Sequence, residues 1–219
     1  MNSVLKRILT ALTTAALVVL AIIYASETAI VIALGVLMGL AGIEYMLLLK
    51  RKLPLDSPKG NLVFLASLPV LVLPFVALAN IEHFHGNLMM LYVIAIVKFS
   101  DMGGFAFGMS SAKLMKGGNH KLCPTISPNK SWEGLFGSVF ASSVMSCAWM
   151  SFTHFGIGKA LAFGVAAALV GTFGDLVESK FKRWVGVKDS ATFMPAGLGG
   201  FLDMFDSLLF APAALLPFI

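Results

Sequence analysis

Charge is scarce in this chain. Only 12% of its 219 residues are Asp, Glu, Lys or Arg, against 58% hydrophobic ones. A soluble domain carries about 25% charged residues. Half that supply cannot cover a water-facing surface, which excludes an ordinary soluble enzyme and a disordered tail. Cysteine is scarcer still: Cys123 and Cys147 form no CxxC and no framework, which excludes a disulfide scaffold. No GxSxG, HExxH, Walker A or GxGxxG pattern occurs, so those catalytic and nucleotide-binding devices are absent as motifs. No basic run interleaves with aromatics on a soluble face, so the net charge of +5 gives no reason to expect a nucleic-acid partner. What is present is hydropathy, with a mean of +0.89. The composition is that of a polytopic, all-α membrane protein.

A bilayer core needs about 20 apolar residues per helix. Seven runs qualify as expected spans: Ile8–Tyr24, Ala29–Leu49, Leu62–Ala79, Leu88–Met109, Trp132–Phe155, Ala160–Val177 and Phe201–Phe218. The first follows Lys6 and Arg7 and is read as an anchor; a signal peptide is the alternative, weakened by the run's length and by a poor cleavage site at Ala25-Ser26-Glu27. With a cytosolic N-terminus, fourteen of the sixteen basic residues fall on the inner side: Lys6, Arg7, Lys50, Arg51, Lys52, Lys59, Lys113, Lys116, Lys121, Lys130, Lys180, Lys182, Arg183 and Lys188. Lys159 alone lies outside, and Lys98 falls within a span. The positive-inside rule thus favours this orientation. Residues 1–97 are expected to be a transmembrane scaffold, with Glu44 as their buried acid, and residues 98–219 the working region.

Acids in or against membrane spans mark functional sites by default. Under this topology Asp101, Asp175, Asp203 and Asp206 all arrive at one depth, near the inner face. Asp203 and Asp206, three apart, share a helix face, as do Asp175, Glu178 and Ser179. Such oxygen clusters suit Mg²⁺, which takes one or two carboxylates plus waters and phosphates. Pairing with Lys180, Lys182 and Lys188 is the structural alternative. Ser131 is placed to cap the helix after Ser127-Pro128-Asn129-Lys130, and a helix start beside a lysine is an anion site. Trp132 fits an interfacial belt equally well. Gly197, Gly199 and Gly200 allow a close approach to a ligand or to another helix. His120 could touch phosphate or simply be solvated, and Lys98 could snorkel or pair with Asp101.

Three ordered blocks carry a family resemblance. They are Ser100-Asp101-Met102-Gly103-Gly104-Phe105; His120-Lys121-Leu122-Cys123-Pro124 through Ile126-Ser127-Pro128-Asn129-Lys130-Ser131-Trp132-Glu133-Gly134; and Gly174-Asp175 through Lys188-Asp189-Ser190, continuing to Gly199-Gly200-Phe201-Leu202-Asp203-Met204-Phe205-Asp206-Ser207. Over about residues 98–210 the chain resembles the phosphatidate cytidylyltransferases, or CDP-diacylglycerol synthases. It departs from them at Leu198 and Met204, where the family usually has His and Arg, and it is shorter than many members, as if an N-terminal span were missing. The resemblance implies attack of a phosphatidate phosphate on the α-phosphorus of CTP, giving CDP-diacylglycerol and pyrophosphate. It implies a catalytic set of Asp175, Asp203, Asp206 and Lys182. Ser127, Lys130, Ser179, Arg183, Lys188 and Asp189 would bind substrate. Asp101, Asp175, Glu178, Asp203 and Asp206 would hold one or two Mg²⁺ ions, with a second, monovalent cation left open. CTP, phosphatidate or a related lipid phosphate, and membrane lipids are the expected partners, with a homodimer left open. The expected location is the inner (plasma) membrane, multi-pass, with the site facing the cytosol. The competing readings are an ion-coupled transporter, a non-catalytic relative, and a CTP transferase for another lipid.

Overall fold

The computed structural model describes residues 13, 16–54, 57–115, 118–187, 190 and 200–219. Helical residues 16–24 (α1) lead into α2 (Glu27–Lys50), α3 (Pro58–His85) and α4 (Asn87–Leu114). A hairpin of β1 (Lys121–Cys123) and β2 (Ser127–Ser131) follows, then α5 (Trp132–Ala148), α6 (Met150–Thr153) and α7 (Ile157–Val185). The chain ends on α8 (Phe201–Phe205), α9 (Ala211–Leu215) and a 3₁₀ turn, Leu216–Phe218.

Four of these helices, α2, α3, α4 and α7, are long and apolar enough to cross a membrane. Their outward faces carry large apolar side chains such as Ile32, Val36, Leu62, Leu65, Phe105 and Phe173. Lipid is the solvent that such a surface requires. This is a membrane protein. Serine hydroxyls start α2, α3 and α5: Ser26 accepts from the Ala29 N–H, Ser57 from Gly60 and Ser131 from Gly134. Each satisfies a donor with no partner inside its own helix.

Two expected spans take a different form. Trp132–Phe155 breaks at Trp149, between α5 and α6, and closes on a left-handed His154. Phe201–Phe218 is not one helix. Pro212 and Pro217 cannot donate into a helical ladder, and the Asp206 carboxylate takes the Ser207 N–H at 2.6 Å, so the chain turns over residues 206–210. The two-stranded antiparallel hairpin departs from a purely helical fold. Pro124 and Pro128 disfavour a helix there, and the register pairs Lys121 with Ser131 and Cys123 with Ser127.

The order of contacts sets the helix directions. Gly103 faces Gly137 and Ala141 while Gly108 faces Ser131 and Gly134, so α4 and α5 are antiparallel. Ser143 meets Gly164, and Ser142 donates to the Gly164 carbonyl at 2.8 Å; Lys130, just before α5, reaches Asp175 in α7. Helix α7 is therefore antiparallel to α5 and parallel to α4. Small residues let these backbones come close, the usual means of joining helices in lipid. The main core gathers Phe75, Ile81, Tyr92, Ile96, Phe163, Leu208 and Leu215. A second core, Tyr45, Leu48, Leu49, Leu71, Val185 and Leu202, ties the end of α2 to the end of α7 and to α8.

Candidate active site

Because α4 and α7 are parallel, Asp101, halfway along α4, and Asp175, in the second half of α7, lie at a similar level, below the end of the bundle where α5 begins. The hairpin folds over that end. Between them is a cavity of about 280 Å³ lined by Asp101, Gly104 and Phe105 of α4, Leu122, Ser127, Asn129, Lys130 and Ser131 of the hairpin, Gly134, Leu135 and Ser138 of α5, and Thr172 and Asp175 of α7. Its lining combines charged and polar side chains with the apolar Phe105, Leu122 and Leu135. Phe105 is 70% exposed on the lipid-facing surface. The hairpin is fastened at its base: the His120 N–H donates to both Glu133 oxygens at 3.1 Å, and the two side chains meet at 2.6 Å. These bonds, that from the His120 ring foremost, hold the Glu133 carboxyl down to about 2. His120 is thus engaged in a clamp.

Two ionic groups occupy this end. In the first, Lys130 Nζ lies 2.5 Å from Asp175 Oδ2, with both side chains largely buried. Asp175 Oδ1 is buried and has no hydrogen-bond partner. Lys98 Nζ lies 3.7 Å from Asp101 and donates to the Met204 carbonyl at 2.9 Å and to Ser207 Oγ at 3.1 Å. Asp206 comes in behind Asp175: a Cβ on Gly174 would strike the Asp206 carbonyl. Asp206 and Asp101 each feel the charge of Asp175 or of one another, with Lys98 as their shared counter-charge.

In the second group, Lys182 Nζ bridges Glu178 Oε2, at 2.7 Å, and Asp203 Oδ1. Asp203 Oδ2 also takes the N–H groups of Ser190 and Gly200, at 3.1 and 2.8 Å. Asp203 and Asp206 therefore do not act from one helix face. Helix α8 ends at Phe205, which sends Asp203 to Lys182 and Asp206 towards Asp175. Ser127 lines the cavity, Ser179 is half-buried on α7, and Arg183 is exposed on its last turn. Lys188, Asp189 and Leu198 lie outside the described residues.

Among the described residues, no three His, Cys, Asp or Glu side chains are grouped as a metal-binding set. The donors nevertheless have the right chemistry. Asp101 and Asp175 offer hard oxygens to the cavity, and the free Asp175 Oδ1 is a buried acceptor in want of a cation. Lys182 engages Glu178 Oε2 and Asp203 Oδ1, while Glu178 Oε1 is likewise buried without a hydrogen-bond partner. Ser138 and Thr172 carry no signal in the sequence, being common polar residues with no pattern of their own, whereas Asn129 lies inside the anion-site block without being singled out there. Sequence reasoning flagged Glu44 and named no partner for it. Glu44 is completely buried, and its Oε2 accepts the Leu202 N–H at 2.8 Å.

Residues 57–219 match the cytidylyltransferase family. The chain belongs to that family. Over 122 residues it is 46% identical to the phosphatidate cytidylyltransferase of Staphylococcus aureus (strain COL), covering 55% of this chain and 44% of that relative. With the same coverage it is 43% identical to the phosphatidate cytidylyltransferases of Staphylococcus epidermidis (strain ATCC 12228) and Staphylococcus saprophyticus. The match spans less than half the length of these curated relatives.

Proposed function

We propose that this protein transfers the cytidylyl group of CTP to phosphatidate, releasing pyrophosphate. A phosphate oxygen of the lipid attacks the α-phosphorus of CTP. A new P–O–P linkage forms, and the bond from the α-phosphorus to the pyrophosphate oxygen breaks. Phosphate monoesters are largely ionised near neutral pH, so the nucleophile needs no dedicated base. The work left to the chain is positioning and charge neutralisation.

The carrying observation is the cavity's construction. Its lining divides into a lysine and half-buried carboxylates on the one hand and apolar side chains on the other, between the membrane-crossing helices α4 and α7. An amphiphile with a phosphate head fits that division. Lys130 exchanges Asp175 for a phosphate oxygen, with Ser127, Asn129 and Ser131 as neighbouring donors. Lys182 holds Asp203 and with it the start of α8, while Arg183, Ser179 and Lys188 meet the outer phosphates. Asp175, Asp206 and Asp101 would hold Mg²⁺, which when bound supplies neutralisation of the triphosphate charge. Phe105 and Leu122 border the route of the acyl chains from the bilayer. In this reading the site faces the cytosol across the inner membrane, where CTP is available, in keeping with the lysines at this end.

Purified protein in detergent should release pyrophosphate only when phosphatidate, CTP and Mg²⁺ are all present, with CDP-diacylglycerol as the second product. Folded protein that releases none would refute the reading; release with another lipid phosphate in place of phosphatidate would move the acceptor and keep the chemistry.

A further inference from the structure

Glu44 is a charged-type side chain in a helix that is otherwise almost wholly apolar. It lies in α2, two turns before the helix ends, with no exposed surface. A buried acid in a membrane helix is costly unless its oxygens are engaged. Its Oε2 accepts the Leu202 N–H, a donor in the first turn of α8 that has no partner within that helix. The chain also passes very close. A Cβ on Gly200 would lie 2.5 Å from Glu44 Oε2 and would strike Ser190 Oγ as well. Next to Glu44, Tyr45 stacks on Phe181 of α7 at 4.7 Å, and Leu48 and Leu49 pack with Val185 and Leu202. The end of α2 thus grips α8 and the end of α7 together. Helix α8 is only five residues long and carries Asp203 within it and Asp206 just after it. A helix so short has little stability of its own, so its place is set by what holds it.

We propose that Glu44 is a positioning residue: it holds α8 against the end of α2, so that Asp203 stays beside Lys182 and Asp206 beside Asp175. The N-terminal half is then part of the machinery rather than a passive scaffold. The consequence for turnover rests on the reaction proposed above; the placement of α8 does not.

Three variants test this: Glu44→Leu, which removes the acceptor; Glu44→Gln, which keeps an acceptor oxygen; and Gly200→Ala, which crowds the contact from the other side. The first readout is amide hydrogen exchange in detergent, without substrate. Exchange over residues 201–208 should quicken by about tenfold or more in Glu44→Leu and Gly200→Ala, the loss of one strong hydrogen bond, and much less in Glu44→Gln. Peptides from α4 should be unchanged. The second readout is the Mg²⁺ concentration giving half-maximal turnover. It should rise about tenfold in Glu44→Leu and Gly200→Ala and recover in Glu44→Gln. A variant that merely lowered the fraction of folded protein would reduce the maximal rate and leave that concentration alone. Should Glu44→Leu fail to fold, Gly200→Ala and Glu44→Gln decide. Unchanged exchange over 201–208 overturns the proposal, as does altered exchange with an unchanged Mg²⁺ dependence in an active enzyme. A wild type inactive on every lipid phosphate refutes the reaction, and the exchange result then decides the role of Glu44 alone.

Discussion

The contact between α4 and α5 sets the width of the cavity, and one methyl group tests it. Gly137 of α5 lies where a Cβ would come 2.6 Å from both the Gly103 carbonyl oxygen and Phe107 Cγ. Carbon atoms are at ease at about 3.5–4.0 Å, so Gly137→Ala must part the helices by about 1 Å or tilt them. Overpacking of this kind costs about 1–3 kcal/mol. The displacement is passed to Asp101 and Gly104, which line the cavity within two residues of Gly103. A misplacement of about 1 Å at reacting groups costs on the order of 10²-fold in rate. Gly39→Ala is the control. It lies exposed on α2 with nothing within 4 Å of its Cβ, so it should be neutral or more stable by about 0.5–1 kcal/mol from reduced backbone freedom. Thermal unfolding in detergent, with pyrophosphate release on the same samples, reads both effects. A melting midpoint for Gly137→Ala no lower than for Gly39→Ala, with full turnover, would refute the close packing of α4 on α5.

Lys130→Met should destabilise the protein by about 1–3 kcal/mol, somewhat less than for a fully buried pair, because it strands the Asp175 carboxylate; Lys130→Met with Asp175→Asn should regain much of that in denaturant titrations. Asp206→Asn should remove most turnover with little change in melting, whereas Asp203→Asn should lower both, since Asp203 also holds Lys182 and two backbone N–H groups. The Glu133 carboxyl is held down to about 2 from 4.5, so the hairpin clamp contributes its stability fully above about pH 4.5 and loses it as pH falls towards 2. Amide exchange at His120 should show that acid release in the wild type and none in Glu133→Gln. Chelation by EDTA should abolish turnover and added Mg²⁺ restore it; full activity in EDTA would refute the role given to the carboxylates.

The long spans were legible in the sequence because apolar length is itself the physical requirement for crossing a bilayer. The Ser131 cap was legible because capping is a local interaction, settled within four residues. The hairpin was not, since its strands are short, Pro124 stands in the turn and Pro128 within β2, and the His120–Glu133 clamp joins residues 13 apart. The end of the chain reads as one apolar run, yet Pro212, Pro217 and Asp206 divide it: hydropathy counts side chains and does not see a backbone that lacks N–H donors. Asp101 and Asp175 were singled out as residues by their cost in a membrane. That Lys130 pairs with Asp175, that Asp203 and Asp206 part company, and that Glu44 reaches Leu202 across 158 residues follow from helix direction and packing. Composition and order alone determined a membrane protein with its polar chemistry in the second half, because solvation depends on what each segment is made of. Which carboxylate meets which lysine was decided only by the tertiary structure, because electrostatic partnership falls off over a few ångströms and is set by neighbours in space.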